Sequence, residues 1–387
     1  MDFDLIIVGG GLAGASLAVA LQGTRYRIGL VETRPPVLAE GWDPRVYAVS
    51  PICAAFLREI GVWQHLDLGR IAPVHAMSIR GDAGGQLEFD AYDSGLSELA
   101  WTVEAGRIHR ELWETVKRQH NVTILTGCSP DELIHGADSQ TIVLSDGRRA
   151  HCRLLIGADG ANSWVRERAG IRADSKPYGE RGVVGNFRCE KDHRNRAFQW
   201  FRDDGILALL PLPQQMVSMV WSCEDDKAEE LLGLESAELA RRVAEAAGDA
   251  LGRLEPVTPA VGFPLRFMRV ESVVKPRLAL VGDAAHAIHP LSGHGINLGF
   301  QDAKQLADIL RALPPWRDPG DLAVLRGYAR ARAEEPWLLQ YTTHGLNRLF
   351  GSRNPLVSML RNVGLNLTDR VPVVRDVLVH YATSGRF

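Results

Sequence analysis

The fold is decided by the stretch LALVGDAAH at residues 278–286, which is followed by GHGIN at residues 293–297. Its leading apolar residues indicate a buried strand that ends at Gly282 and Asp283. Beyond Gly295 the apolar residues recur with the spacing of a long helix. A glycine-rich turn between a strand and a helix lets the backbone approach a ligand closely, and the helix N-terminus favours negative charge. Because the acid can accept hydrogen bonds from sugar or ribityl hydroxyls, this stretch predicts part of a site for a nucleotide-like cofactor.

The first residues of the chain predict another part of the same site. A short apolar strand runs into GGGLAG at residues 9–14, where the glycines have the spacing G-x-G-x-x-G. Gly9 would make the tight turn, Gly11 would admit a pyrophosphate, and Gly14 would let the following helix pack closely against the strand. A second strand ends in Glu32, which is placed to bind the ribose hydroxyls of an adenosine.

A third segment, in the middle of the chain, repeats the pattern. The apolar strand RLLI at residues 153–156 is followed by GADGANS at residues 157–163, so that Asp159 stands between two glycines. Three segments that are far apart in the sequence therefore predict one shared ligand.

Together these segments resemble the fingerprints of the group A flavoprotein monooxygenases, the para-hydroxybenzoate hydroxylase type. The N-terminal segment is similar to their ADP-binding fingerprint, the middle one to the fingerprint near the FAD pyrophosphate and the NAD(P)H path, and the last one to the fingerprint at the ribityl chain. Within this group the chain is most similar to the ubiquinone-biosynthesis hydroxylases, especially the 2-polyprenylphenol hydroxylase branch. The closer resemblance is carried by DPRVYAVS at 43–50, GVW at 61–63, GILALLPL at 205–212, FPL at 263–265 and HAIHPL at 286–291.

The resemblance implies an α/β fold with three parts. These are a Rossmann-like FAD-binding domain, an inserted antiparallel β-sheet substrate domain and a C-terminal helical segment. A chain of 387 residues is also long for a single core. We expect the FAD-binding domain at 1–72, 104–172 and 273–335, the substrate domain at 73–103 and 173–272, and the C-terminal helical region at 336–387.

The resemblance also implies the residues of the site. The expected cofactor-binding residues are Gly9, Gly11, Leu12, Ala13, Gly14, Glu32, Thr33, Arg45, Arg107, Asp159, Gly160, Gly282, Asp283, Pro290, Gly293, Gly295, Ile296 and Asn297. Pro290 and His294 are expected at catalytic positions, Pro290 with its carbonyl beside the substrate and His294 near the flavin, where the family usually has Gln. Trp200 and Leu210 are expected to line the substrate pocket, although packing in the sheet core is at least as common for such residues.

The activity that the resemblance implies is that of an FAD-dependent aromatic hydroxylase. NADPH or NADH would reduce FAD, and O₂ would then hydroxylate the ring of a lipophilic polyprenylated phenol in ubiquinone biosynthesis by way of a flavin hydroperoxide. Two alternatives stay open: a hydroxylase of the same fold that acts on a small soluble aromatic compound, and a prenyl-lipid flavoprotein reductase. The first predicts a cationic arginine or a tyrosine in the pocket, and the second would not consume O₂ in proportion to product.

Composition excludes several other classes of protein. The formal net charge of −3 gives no sign of a nucleic-acid binder. The five cysteines are scattered and contain no C-x-x-C pair, which favours a reducing compartment and argues against a thiolate metal site. His286, His289 and His294 lack the H-E-x-x-H spacing, so we expect no metal. The first strand begins without a basic segment before it, and we therefore expect a cytoplasmic protein.

The C-terminal region at 336–387 combines apolar residues at helical spacing with flanking arginines. This pattern is typical of a helix lying on an anionic membrane, and equally of a helix pair docked on the body of an enzyme. Both interpretations stay open, and a lipophilic substrate favours peripheral contact with the inner membrane. The resemblance further implies assembly with other ubiquinone-biosynthesis enzymes.

Overall fold

A computed structural model describes residues 2–37, 40–82, 84–287 and 295–333. The predicted C-terminal helical region at 336–387 lies outside these residues. The described α-helices are α1 Leu12–Ala20, α2 Pro51–Glu59, α3 Ala105–Lys117, α4 Trp164–Arg168, α5 Asp225–Leu232, α6 Ser236–Ala246, α7 Gly295–Ala312 and α8 Leu322–Ala331.

The first sheet brings the three sequence segments to one edge. Its described strands are β1 Asp2–Val8, β2 Ile28–Glu32, β8 Val122–Thr126, β9 Pro130–His135, β10 Gln140–Leu144, β11 Arg149–Gly157, β18 Val274–Lys275 and β19 Leu278–Leu280. Strands β8, β2, β1, β11 and β19 lie side by side in that order, and each neighbouring pair is parallel. Because the carboxyl ends of parallel strands meet at one edge, the turns after β1, β2, β11 and β19 are neighbours.

This sheet is buried on both faces, which explains its continuous apolar strands. In β1, Leu5, Ile6 and Ile7 are fully buried. Helices α1 and α7 pack against each other on one face of the sheet, where Leu17 and Phe300 belong to the same apolar core. The first fingerprint helix and the helix after Gly295 therefore start at the same edge.

The second sheet forms a roof over that edge. Its described strands are β5 Ala76–Arg80, β6 Gln86–Asp90, β12 Ala173–Cys189, β13 Arg196–Arg202, β14 Gly205–Leu212, β15 Met216–Glu224, β16 Leu254–Pro256, β17 Val261–Val270 and β20 His286–Ala287. The order is β20-β17-β12-β15-β14-β13-β5-β6, and the pairs are antiparallel except for β5 with β13. Helices α5 and α6 cover its outer face.

A small sheet and three hydrogen bonds connect the two large sheets. The small sheet consists of β3 Val46–Val49, β4 Ala72–Val74 and β7 Ala100–Glu104, in the order β3-β7-β4. The hydrogen bonds run from Asn186 Nδ2 to the Asp43 carbonyl at 2.9 Å, from Arg266 Nη1 to Asn162 Oδ1 at 2.9 Å, and from Thr102 Oγ1 to the Pro211 carbonyl. These contacts hold the roof over the carboxyl edge. The exact domain boundaries stay a prediction.

Candidate active site

The turn after β1 is shaped by two glycines that have no room for a side chain. Gly9 has a φ of +102°, and a Cβ built on it would lie 2.3 Å from the Ala158 carbonyl oxygen. A Cβ on Gly14 would lie 1.9 Å from the Gly9 carbonyl oxygen. By contrast, a Cβ on Gly11 would meet nothing within 4 Å, so the space in front of α1 is open. Open space at a helix N-terminus fits the pyrophosphate of a dinucleotide such as FAD.

Glu32 closes the first fingerprint at the end of β2. Its Oε2 accepts a hydrogen bond from the Gly10 backbone N–H at 2.7 Å, and its Oε1 accepts one from the Arg34 N–H at 3.0 Å. Each carboxylate oxygen can accept two hydrogen bonds. The half-buried Glu32 can therefore still accept one from a ribose hydroxyl, beside the exposed Thr33.

Asp159 shapes the turn after β11 with its own side chain. Its carboxylate accepts hydrogen bonds from Ser163 Oγ at 2.5 Å and from the Val165 N–H at 3.0 Å, at the start of α4. Arg166 then donates to the Ala161 carbonyl at 2.8 Å and to the Ala284 carbonyl at 3.0 Å. The turn that contains Asp159 and the neighbouring Gly160 is thus joined to the turn after β19.

Asp283 follows β19 in a 3₁₀ turn and lines a cavity together with Tyr47. Burial raises the pKa of the Asp283 carboxyl, and the nearby Asp302 raises it further while His286 lowers it. Burial also raises the pKa of the Tyr47 phenol, and the negative charge of Asp283 acts in the same direction. A carboxyl group and a phenol therefore face the cavity, where they can hydrogen-bond the hydroxyls of a ligand.

A buried network of charged residues holds this turn in place. Sequence reasoning missed this network. Asp302 is fully buried. Its Oδ2 accepts a hydrogen bond from the Gly282 N–H at 2.9 Å and lies 2.7 Å from His286 Nε2. Its Oδ1 accepts a hydrogen bond from Arg332 Nε at 2.7 Å. Burial alone would raise the pKa of Asp302, but His286 and Arg332 outweigh that effect and lower it. The signal in the sequence is that Asp302 lies four residues after Leu298, on the buried stripe of α7.

Asn297 joins the start of α7 to the segment after β3. Its Oδ1 accepts a hydrogen bond from the Ser50 N–H at 3.0 Å, and its Nδ2 donates to the Ala48 carbonyl at 2.9 Å. Gly295, Ile296 and Asn297 all line the cavity. The side chain of Asn297 therefore fixes the cavity wall through contacts within the protein.

Glu104 is a second buried acid that sequence reasoning missed. It lies at the end of β7 with 1% of its side chain exposed, and it accepts hydrogen bonds from Arg107 Nε at 2.9 Å and from Arg70 Nε at 2.9 Å. It also accepts one from the Asp43 N–H at 2.7 Å, just before Arg45 in the sequence. Glu104 thus fixes both segments on which the predicted cofactor contacts Arg45 and Arg107 lie.

The Glu104→Gln variant should bind FAD at least about tenfold more weakly, because either carboxylate oxygen accepts two hydrogen bonds and losing a single charge-assisted one already costs about 1.5 kcal/mol. Glu114→Gln is the matched control, since Glu114 lies on α3 and pairs with Lys117 in an exposed position. Fluorescence titration of the apoprotein with FAD gives both dissociation constants. Equal FAD affinity of the two variants would show that Glu104 does not contribute to the cofactor site.

A cavity of about 630 Å³ lies between the carboxyl edge and the roof, within the usual range for ligand pockets. Leu210 lines it, and its predicted role in the substrate pocket stays a prediction. Trp200 does not, which corrects its assignment to the pocket. Side chains alternate along a strand, and Gln199 faces the cavity while Trp200 belongs to the core that α5 and α6 cover. Trp200 stacks on Phe198, with ring centroids 5.7 Å apart, and Phe198 borders both this core and the cavity.

The remaining predicted residues fall into two groups. Leu12 and Ala13 form the first turn of α1, at the N-terminus that faces the open space. Pro290, Gly293 and His294 lie outside the described residues. The catalytic roles of Pro290 and His294 therefore stay predictions.

Comparison with known proteins agrees with this geometry. Residues 2–340 match the family described as FAD binding domain. The chain is 33% identical over 388 residues to the ubiquinone hydroxylase UbiL of Rhodospirillum rubrum, covering 98% of this chain and 89% of that protein. It is 31% identical over 383 residues to the 3-demethoxyubiquinol 3-hydroxylase of Escherichia coli, covering 98% of each.

A solved structure shows the same fold. The chain superposes on p-nitrophenol 4-monooxygenase PnpA from Pseudomonas putida with a TM-score of 0.80 and 20% sequence identity, and 100% of each chain is covered. The predicted fold class and the FAD cofactor are thereby confirmed. The chain belongs to the FAD binding domain family and is an FAD-dependent aromatic hydroxylase of the group that contains the ubiquinone-biosynthesis hydroxylases.

Proposed function

We propose that this enzyme hydroxylates the aromatic ring of a prenylated phenol in ubiquinone biosynthesis, with NAD(P)H and O₂ as co-substrates. The observation that carries the proposal is the cavity, which opens from the Asp283 turn onto a largely apolar roof. The two relatives described above, whose names refer to ubiquinone and demethoxyubiquinol, support the same class of substrate.

The apolar lining suits an isoprenoid tail. Its apolar residues include Val74, Met77, Phe89, Leu99, Val184, Ile206, Leu210, Val220 and Leu265. Burying a tail contributes about 0.8 kcal/mol per methylene without any polar contact. Phe263 and Pro264 also line the cavity although both are exposed, so an apolar path continues to the surface for a longer tail.

The charged and phenolic residues of the lining bear on a small aromatic acid as the alternative substrate. Among the described lining residues, the charged ones are Arg45, Asp283 and Arg266, and Tyr47 adds a phenol. Arg45 and Asp283 lie on the cofactor side, and the Arg266 guanidinium keeps further donors beyond its hydrogen bond to Asn162 at 2.9 Å. A carboxylate beside Arg266 would therefore have a cationic partner, whereas one among the apolar residues of the roof would be buried without one, which is costly.

The residues of the protein bind and orient FAD and the substrate. FAD, when bound, supplies the electron transfer and the oxygen chemistry. The glycines after β1 and the start of α1 would hold the pyrophosphate, and Glu32 would accept hydrogen bonds from the ribose. Asp283 is placed to hydrogen-bond the ribityl hydroxyls. The first turn of α7 faces the cavity, so its positive end favours negative charge there.

An anaerobic measurement tests the substrate class. FAD-loaded protein is mixed with NADPH, and the rate of NADPH consumption is followed with 2-prenylphenol, with 4-hydroxybenzoate and without either. We expect 2-prenylphenol to accelerate the rate, because a ligand in the roof cavity completes the site, and we expect no effect of 4-hydroxybenzoate. The reverse pattern would support a hydroxylase of small soluble aromatics. Repeating the series with NADH decides which nicotinamide is used.

We further propose that the enzyme meets its substrate at the surface of a membrane, together with other ubiquinone-biosynthesis enzymes. A prenylated phenol partitions into lipid, and the apolar path at Phe263 offers it an entry. Within residues 2–333, as far as they are described, no helix has both the length and the apolar character needed to cross a bilayer. Co-sedimentation with vesicles of anionic lipid tests the contact, and binding equal to that on neutral vesicles would argue against it.

A further inference from the structure

Gln199 occupies a central position under the roof. It lies on β13 and belongs to a row of neighbours across four strands, Gln199, Ala208, Val220 and Val184. All four line the cavity. Because the other members of the row are apolar, the amide of Gln199 is the polar group of that row.

The side chain of Gln199 lines the cavity, and no hydrogen bond joins its amide to another described residue. The residue as a whole is 6% exposed. Polar groups in folded proteins nearly always have a hydrogen-bond partner. Because the amide borders the cavity, a ligand in the cavity can hydrogen-bond it.

Ser222 is the polar neighbour in the next row of the roof. It pairs with Ile206 on β14 and with Gly182 on β12, and it is 5% exposed. Gly182, Ala208 and Ser222 are small, which leaves room beneath the sheet for a flat ring. The polar groups over this space are thus a neutral amide and a hydroxyl.

We propose that Gln199 recognises an oxygen substituent on the aromatic ring of the substrate. An amide both donates and accepts hydrogen bonds, which matches a phenol hydroxyl and also a methoxy or carbonyl oxygen. A neutral amide in an apolar lining selects an oxygenated neutral ring over a hydrocarbon ring. This inference rests on the proposed function for the identity of the ring, and Gln199 acts on binding and orientation.

Calorimetric titration of the FAD-loaded protein without NADPH tests this role. The ligands form two pairs, each with and without the ring hydroxyl: 2-prenylphenol with prenylbenzene, and 2-methylphenol with toluene. In the parent protein the hydroxyl should strengthen binding about five- to tenfold, the effect of one hydrogen bond. In Gln199→Met, which keeps the length and removes the amide, the ratio within each pair should fall to about one.

Gln140→Met is the matched control. Gln140 is a buried amide, 3% exposed, on β10 of the other large sheet, so its loss should leave the hydroxyl ratio unchanged. FAD content and melting temperature are measured for every variant. If Gln199→Met does not retain FAD, Gln199→Asn replaces it, because the shortened amide should also lose the contact.

The outcomes of these titrations distinguish the role of Gln199 from the proposed function. A hydroxyl ratio in Gln199→Met equal to that of the parent protein overturns the role of Gln199 and leaves the proposed function standing. If only 2-methylphenol and toluene bind, and their hydroxyl ratio depends on Gln199, the role of Gln199 is supported and the proposal of a prenylated substrate is overturned. Binding of neither pair overturns both.

Discussion

The Gly14→Ala variant will lose bound FAD, and its apoprotein will be less stable than the parent by about 3 kcal/mol. The reason is a backbone contact, since the new methyl carbon would lie 1.9 Å from the carbonyl oxygen of Gly9. Gly9 cannot easily move away, because it is itself confined by Ala158 and has a φ of +102°. Strand β1 lies in the centre of the first sheet and is buried on both faces. The clash therefore separates α1 from a buried strand.

Gly11→Ala separates the effect on folding from the effect on the cofactor. Its methyl group would meet no protein atom within 4 Å, so the apoprotein should keep its stability within about 0.5 kcal/mol. The methyl group would enter the space assigned to the pyrophosphate, so FAD affinity should still fall. Urea unfolding of both apoproteins and FAD titration measure the two effects. An apoprotein of Gly14→Ala as stable as that of Gly11→Ala would contradict the packing described here.

The Asp302→Asn variant should show the second large effect, a decrease of about 3–5 kcal/mol in the free energy of unfolding. Asp302 is fully buried between His286 and Arg332, and the substitution leaves the Arg332 guanidinium buried beside a neutral amide. The hydrogen bond to the Gly282 N–H is also altered. We therefore expect the Gly282–Asp283 turn to loosen and FAD affinity to fall together with stability.

The matched control is Asp308→Asn on the same helix. Asp308 pairs with Lys304 in an exposed i,i+4 position. Exposed pairs of this kind contribute little, so the change should stay within about 0.5 kcal/mol. Similar losses in the two variants would mean that the buried network does not carry the stability assigned to it.

The pH dependence of the Asp302 contribution has a defined sign. The folded protein holds the pKa of Asp302 below its ordinary value, because the attraction of His286 and Arg332 exceeds the effect of burial. The stabilisation is therefore fully present above the unfolded pKa of about 4 and is lost as the pH falls through the lower folded pKa. The stability difference between the parent protein and Asp302→Asn should shrink in that acidic range.

The cofactor edge could be predicted from the sequence because its signals are local. Each fingerprint is a short apolar strand followed at once by glycines and an acid, and parallel pairing then brings the strand ends together. What the sequence could not provide was the partner of each acid. Asp159 engages Ser163 in its own turn, whereas Asp302 and Glu104 pair with residues from other segments.

The roof was harder to predict for a geometric reason. Alternation along a strand defines two sets of residues but does not tell which set faces the ligand, and a shift of one residue exchanges them. Trp200 was therefore assigned to the pocket, although its neighbour Gln199 lies there. Leu210 belongs to the same face of the roof as Gln199 and lines the cavity, and its contact with the substrate stays a prediction.

The proposed reaction transfers one atom of O₂ to the ring of a prenylated phenol. Its most direct test is a single turnover of the FAD-loaded protein with NADPH, 2-prenylphenol and O₂ labelled with a heavy oxygen isotope, followed by mass spectrometry of the product. We expect one labelled oxygen atom in each product molecule, and NADPH consumed in equal amount. A reduced prenyl product without label, or peroxide as the sole product of O₂, would contradict the proposed reaction.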